Sequence, residues 1–289
     1  MTKPVLFVSG ANGKLGRRVM NLLVERGYEG KIIAGTRNPE AISFPNIEVR
    51  KSDFDDPAEL ASALAGVDRL LIISTSSPRR AITQVGAVAA AKAAGVSHIT
   101  YTSAPSPTVD SPIPFVADHR LTEEAIANSG VPHTILRNMW YTENLLDALP
   151  PALASGRWYS AAGNGRLAYV TREDAARAAV GALLEEPREN RTLTVTGPDL
   201  LTTSEIGAIA SAVTGKPLEV VPVNDEQLAA GAIAAGVPRA VVDAMIVPIE
   251  RNTREGRVDI VSDAVEQLWG VRPTGVRAFL EANRAALSA

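Results

Sequence analysis

A doubly wound α/β fold, with a parallel sheet covered by helices on both faces, is what the amino-acid sequence predicts, and three observations carry the prediction. Short, almost fully apolar runs recur along the first half of the chain, as they do in strands buried on both faces. Helical patterns, with apolar residues three and four apart, alternate with these runs in the manner of βαβ units. A glycine-rich stretch follows the first run directly and opens the first helical pattern.

Residues 5–9 (VLFVS), bounded by Pro4 and Gly10, read as the first strand. Residues 15–26 carry Leu15, Val19, Leu22 and Leu23 on one helical face, and Gly27 stops them. Residues 31–36 (KIIAGT) and 47–51 (IEVRK) are the second and third strands, and 57–64 a helix with Glu59 in its first turn. Residues 69–74 (RLLIIS) are the fourth strand, followed by an Ala-rich helix over 81–94 that ends at Gly95. Residues 98–103 (HITYTS) are the fifth strand, 118–129 a helix ending at Gly130, and 134–137 (TILR) the sixth strand. The second half is less regular. A strand is expected over 193–196 (LTVT), a helix over 203–214, and a strand outside the main sheet over 218–223 (LEVVPV). An Ala-rich helix over 224–247 is expected to break at Gly231 and again at 236–238, and 278–287 is expected to be a terminal helix.

Composition narrows the function. With aromatic residues at only 4%, Ala, Val, Leu and Ile must fill the interior. A net charge of −3 without a basic stripe argues against nucleic acid. The absence of cysteine excludes disulfides, thiolate catalysis and Cys-ligated zinc. His98, His119 and His133 lack metal-ligand spacing, so no metal is expected. No uncharged apolar run approaches the roughly 20 residues that span a bilayer. The apolar run at the start is too short for a signal peptide. A soluble, cytoplasmic protein without a membrane partner is the expectation.

The strongest motif is Gly10-Ala11-Asn12-Gly13-Lys14-Leu15-Gly16, directly after the first strand. Glycine is needed where backbone amides must approach a pyrophosphate, and the helix that follows offers unpaired N–H groups and partial positive charge. A Walker A loop fails, because Lys14 is followed by Leu15 rather than Ser or Thr. The motif predicts a Rossmann-type dinucleotide-binding domain over residues 1–150. Residues 151–289 would form a smaller, mostly helical lobe covering the strand ends, with parts of 165–200 returning to the first domain. Arg37 ends the second strand where NAD-binding domains place a carboxylate for the ribose 2′-hydroxyl. Thr36-Arg37-Asn38 contains none, and an arginine suits the 2′-phosphate of NADP(H); a solvated surface arginine is the alternative. Three further strand ends carry polar groups: Asp53 and Phe54 toward the adenine, Ser74, Thr75 and Ser76 along the cofactor, and Tyr101 and Thr102 near the nicotinamide. Strand-end capping accounts for them equally well.

Acid–base machinery is sparse. The residues four positions after the five tyrosines are Ile32, Pro105, Leu145, Gly163 and Glu173, so the Tyr-x-x-x-Lys pair of short-chain dehydrogenases is missing. No G-x-S-x-G elbow is present either. Hydride transfer to a quinone fits that limit, because the product anion spreads its charge over the ring and both oxygens. His119, with an unperturbed pKa of about 6.5, is the remaining acid–base candidate; a partly exposed helix histidine is the alternative.

The segments VLFVSGANGKLG, TRNP, SDFDD, AAKAAGVSHITYTS, SGVPHTILRNMWYTENL, AAGNGRLAYVTREDAARAA and VEQLWGVRPTGVRAFL resemble the NmrA-like atypical short-chain dehydrogenases. Within them the resemblance is greatest to the type 2 NAD(P)H:quinone oxidoreductases and the triphenylmethane reductases. Many NmrA-like proteins have proline after the arginine of the RNMWYTEN segment, whereas this chain has Asn138, as those reductases do. The resemblance implies that residues 10–15 wrap the pyrophosphate and that Arg37 holds the 2′-phosphate. It further implies that Ser74, Thr75 and Ser76 follow the cofactor and that Asn138, Trp140 and Tyr141 border nicotinamide and acceptor, Tyr141 joining His119 as a catalytic candidate. His119 falls where many relatives in the wider family carry lysine. The implied function is NADPH-dependent hydride transfer to a quinone or similar flat conjugated small molecule, with a homodimer as one assembly open to it. The alternative is an NADP(H)-binding redox sensor that regulates a partner without turnover.

Overall fold

The computed structural model describes residues 3–186 and 189–287. Seven strands form one parallel sheet in the order β3-β2-β1-β4-β5-β6-β9: β1 (Leu6–Val8), β2 (Ile32–Thr36), β3 (Glu48–Lys51), β4 (Arg69–Ile73), β5 (His98–Ser103), β6 (His133–Asn138) and β9 (Arg191–Val195). The order runs one way from β1 to β3 and the other from β4 to β9, so the chain changes direction between β1 and β4. Ligands of open α/β sheets gather beyond the strand C-termini at such a switch point.

Helices cover both faces. On one, α1 (Lys14–Glu25) and α6 (Arg172–Leu184) close over Leu6, Val8 and Leu71; on the other, α2 (Pro57–Ala63), α3 (Arg80–Ala93) and α4 (Val116–Ser129) close over Phe7, Ile72 and Tyr101. The core contacts of α6 are mostly alanine, which lets it approach closely, and Arg18 of α1 pairs with Glu173 at its start. This helix carries no clear apolar period, and periodicity alone does not announce it.

After β6, helix α5 (Leu145–Ser155) leads to β7 (Arg157–Ser160) and β8 (Arg166–Leu167). Leu145, Leu149 and Leu153, one turn apart and buried, hold α5 despite Pro150 and Pro151 inside it. Beyond β9, β10 (Leu201–Thr202) pairs with β8, and α7 (Thr203–Thr214) starts from a capping box between Thr202 and Glu205. The LEVVPV segment does lie outside the main sheet, as β11 (Glu219–Pro222) paired with β7.

Helix α8 (Asp225–Ala234) runs through Gly231, contrary to the break expected there. The capping box of Asn224 and Gln227 and the flanking alanines outweigh one glycine, and the chain breaks only at Gly236, whose φ is +91°. A short turn α9 (Arg239–Val241) then passes through a π-helical segment, Val242–Ile246, into α10 (Val247–Arg254). Helices α11 (Ala264–Trp269) and α12 (Val276–Ala282) complete the second half, and α12 yields to a 3-10 turn (Arg284–Leu287) where one terminal helix was expected. Asp174 and Asp199 accept the backbone N–H groups of Thr274 and Val276, tying this end of the chain to α6 and to the segment before β10.

Candidate active site

The loop between β1 and α1 lies at the switch point. Gly10 has a φ of +63°, a conformation few side chains tolerate, and the N–H of Gly13 closes the turn on its carbonyl at 2.9 Å. A Cβ on Gly16 would collide with that carbonyl and with the Cα of Ala11, so glycine there sets how closely α1 meets the loop. The helix begins without a side-chain cap and without an acidic residue in its first turn. Its first amides, Lys14 to Gly16, therefore face outward as an anion site. Lys14 is exposed and makes no hydrogen bond or ion pair with the described residues. Asn12 is held by Arg17, which also donates to the carbonyl of Ala41 at 3.2 Å.

Arg37 stands just past β2, exposed and without a hydrogen-bond or salt-bridge partner among the described residues. An unpaired cation beside an uncapped helix N-terminus fits a dinucleotide carrying an additional phosphate. Asp53 follows β3, but its Oδ1 accepts the N–H of Asp55 at 3.1 Å and its own N–H is held by Glu59 at 2.7 Å; Phe54 packs against the core. The turn chemistry weighed as an alternative for Asp53 is therefore present.

Beyond β4, Ser74 and Thr75 are half-buried and Ser76 is exposed. The Ser74 N–H donates to Thr102 Oγ1 at 3.0 Å, so Thr102 supports this loop from behind. Tyr101 is 0% exposed, and its hydroxyl meets Gln84 and His119. Burial withdraws it from the contact with the nicotinamide that its place on β5 suggested, and it stands behind the crevice wall.

Asn138, Trp140 and Tyr141 come together after β6. The Asn138 amide donates to Tyr141 Oη at 3.3 Å, the Arg172 guanidinium lies over the Tyr141 ring, and burial raises the Tyr141 phenol above its ordinary pKa. Trp140 meets Phe115 edge-on at 6.2 Å, and both pack, with Ile249 of α10, against Ala104, Ile113 and Val116, so the second half of the chain contributes to this cluster. Five buried polar atoms at or just past the ends of β3, β4 and β6, namely Ser52 Oγ, Thr75 Oγ1, Asn138 Oδ1, Trp140 Nε1 and Thr142 Oγ1, have no hydrogen-bond partner among the described residues. Buried polar groups are almost always satisfied, so this grouping points to a ligand with complementary atoms.

His119, on the first turn of α4, is 5% exposed, not the partly exposed helix residue of the alternative. Burial, reinforced by the nearby Arg80 guanidinium, pulls its pKa down to about 3. The proton exchange near neutrality expected from the free side chain is therefore lost, and the ring is neutral at physiological pH. Gln84, Arg80 and Phe115, which surround it, carry no motif that would single them out in a sequence.

A cavity of about 170 Å³ opens among His98, Thr134, Glu185, Glu186 and Arg191. It lies at the N-terminal end of the strands, opposite the glycine loop, and has no bearing on the site above. No group of residues able to hold a metal occurs among the described residues, and no helix there is long and apolar enough to cross a membrane.

Comparison with known proteins agrees with this geometry. The profile of a family described as NAD(P)H-binding matches residues 10–186. Quinone oxidoreductase 2 of Escherichia coli (strain K12) is 36% identical over 270 residues, covering 92% of this chain and 94% of that protein. The crystal structure of an NADPH-dependent quinone oxidoreductase from Escherichia coli in complex with NADPH superposes with a TM-score of 0.91 at 33% identity, over 96% of this chain and 99% of the other. The triphenylmethane reductase of Citrobacter sp., complexed with NADP(H), gives 0.88 at 33% identity, also over 96% and 99%.

Proposed function

The chain belongs to the NAD(P)H-binding family, and on that premise we propose that it is an NADPH-dependent oxidoreductase that reduces quinones or similarly flat conjugated acceptors. The observation that carries this reading is the grouping of unsatisfied buried atoms on Thr75, Asn138 and Trp140 at the strand ends onto which the glycine loop opens. The net reaction converts NADPH, a quinone and one proton into NADP+ and a hydroquinone. The cofactor supplies the hydride; the chain supplies binding, orientation and exclusion of water.

Each group has a role its surroundings allow. Residues Gly10, Asn12, Gly13, Lys14 and Leu15 hold the pyrophosphate, mainly through backbone amides, and Arg37 holds the 2′-phosphate. Asp53 and Phe54 flank the adenine, and Ser74, Thr75 and Ser76 run along the cofactor. Asn138 hydrogen-bonds a carbonyl of cofactor or acceptor, while Trp140 and Tyr141 wall the acceptor slot. A cytoplasmic setting and a pairing of two copies belong to the same proposal, the latter checked by light scattering.

The test is stoichiometry: protein, NADPH and a benzoquinone are mixed without oxygen, and cofactor and product are quantified. One hydroquinone formed per NADPH consumed is expected. Tight NADPH binding without consumption against any quinone or dye would move the chain from catalysis to sensing.

A further inference from the structure

Gln84 lies on α3, fully buried. A group that can only donate fixes its orientation: the backbone N–H of Thr75 reaches Oε1 at 3.0 Å. Nε2 is therefore the end that faces Tyr101 Oη and Thr122 Oγ1, each at 3.0 Å. Thr122 gives its own proton to the Asp118 carbonyl at 2.8 Å. Tyr101 Oη accepts from Gln84, and of its two hydrogen bonds only that to Nδ1 of His119, 2.8 Å away, offers an acceptor for its own proton. A neutral imidazole has one N–H. With Nδ1 accepting, that N–H is on Nε2, which makes no hydrogen bond with the described residues.

The ring sits between Tyr101 and the edge of Phe115, whose other side meets Trp140. His119 therefore belongs to the same wall as the proposed acceptor slot. Burial keeps it neutral, and Arg80 reinforces this: it donates to the Thr75 carbonyl and stands 3.8 Å from Asp118, placing a cation near the imidazole.

We infer that Gln84 and Tyr101 are positioning residues that hold His119 as its neutral Nε2–H tautomer, making it a fixed hydrogen-bond donor to the acceptor oxygen on which charge develops. The donor role rests on the reductase reading; the tautomer does not. The C–H bond of the reduced nicotinamide would break as its hydride passes to one quinone oxygen, the ring becoming aromatic and the electron pair settling on the other oxygen, to which Nε2–H donates. The proton that completes the hydroquinone comes from water, because a neutral imidazole is too weak an acid to give up its own. Thr75 couples the loop along the cofactor to this relay through its N–H and carbonyl.

The experiment is a long-range ¹H–¹⁵N correlation spectrum of the ¹⁵N-labelled protein, with the His119 signals assigned by their loss in His119→Gln. The expected spectrum shows an unprotonated Nδ1 and a protonated Nε2, unchanged between about pH 5 and 8 where a free histidine titrates. In Tyr101→Phe the pattern should move toward a mixture of tautomers. Quinone kcat should fall about three- to tenfold, the scale of one neutral hydrogen bond, with KM for NADPH unchanged. Gln84→Met should shift both readouts in the same direction. A protonated Nδ1 in the unmodified protein, which needs no variant to fold, would overturn the inference, as would a Tyr101→Phe spectrum identical to it. The expected spectra without any quinone turnover would refute the reductase reading, and with it the donor role, while leaving the tautomer assignment standing.

Discussion

Replacing Arg37 by alanine isolates the choice of cofactor. The side chain is exposed and makes no hydrogen bond or ion pair with the described residues, so its removal leaves nothing in the chain unsatisfied. The apo protein should keep its melting temperature within the scatter of surface substitutions, about 0.5 kcal/mol. Toward a 2′-phosphate the same guanidinium can form two parallel charge-assisted bonds. Such bonds contribute about 1.5–3 kcal/mol each when shielded, whereas exposed ion pairs fall to about 0.2–1 kcal/mol. The bound nucleotide shields the pair in part, which places two such bonds between these limits, at about 1.4 kcal/mol or more, a tenfold difference in affinity. NADPH should bind at least about tenfold tighter than NADH, and Arg37→Ala should remove most of that difference by weakening NADPH alone. The assay is calorimetric titration of both nucleotides into both proteins at two salt concentrations. The preference should shrink as the Debye length falls from about 10 Å at 0.1 M toward 3 Å at 1 M. Equal affinities in the unmodified protein, or a preference that survives in Arg37→Ala, would refute the reasoning.

Trp140→Ala should raise KM for quinones severalfold, as expected from losing an aromatic contact of about 0.5–1.5 kcal/mol, with NADPH affinity within about threefold; a large fall in melting temperature with normal quinone KM would mean that its contacts with Phe115 and the Ala104, Ile113 and Val116 cluster are only packing. Glu123 accepts from Ser103 at 2.6 Å and from Arg137 at 3.0 and 2.7 Å, so Glu123→Ala should destabilise the protein by roughly 1–3 kcal/mol in urea titrations. His98 and His119 are held below the ordinary histidine range, at about 4 and about 3, both chiefly by burial. The unfolded chain binds protons first as pH falls below about 6.5, so stability present above that pH should decline toward pH 4 by on the order of 1 kcal/mol per unit for each ring. Urea titrations at successive pH values, with His119→Gln removing one share of the slope, check the sign.

The parts of the fold that were legible are those where one local signal suffices. The runs VLFVS, KIIAGT, RLLIIS and TILR are short and largely apolar because both their faces are covered, and the structure places them in one parallel sheet. Helix α6 was not legible: its core face is alanine, so burial is uniform rather than periodic. In α5 the prolines mask a leucine stripe that tertiary packing holds in place. Near the switch point, Gly10 and Arg37 could be singled out because motif position alone marks them. Gln84 could not, since an isolated glutamine on an Ala-rich helix acquires meaning only from the Thr75 N–H, the Tyr101 hydroxyl and the His119 ring brought to it by three other segments. The neutral state of His119 was equally unreadable, because its pKa depends on burial by the loop before α4 and on Arg80, thirty-nine positions away.

Catalysis by this chain is tested most directly by rapid mixing of the preformed protein–NADPH complex with a quinone, following the reduced-nicotinamide absorbance. A single-exponential loss of bound NADPH is expected, with a rate that saturates as quinone is raised and one hydroquinone released per site. NADPH that stays bound and reduced across the whole range of quinone concentrations would contradict it.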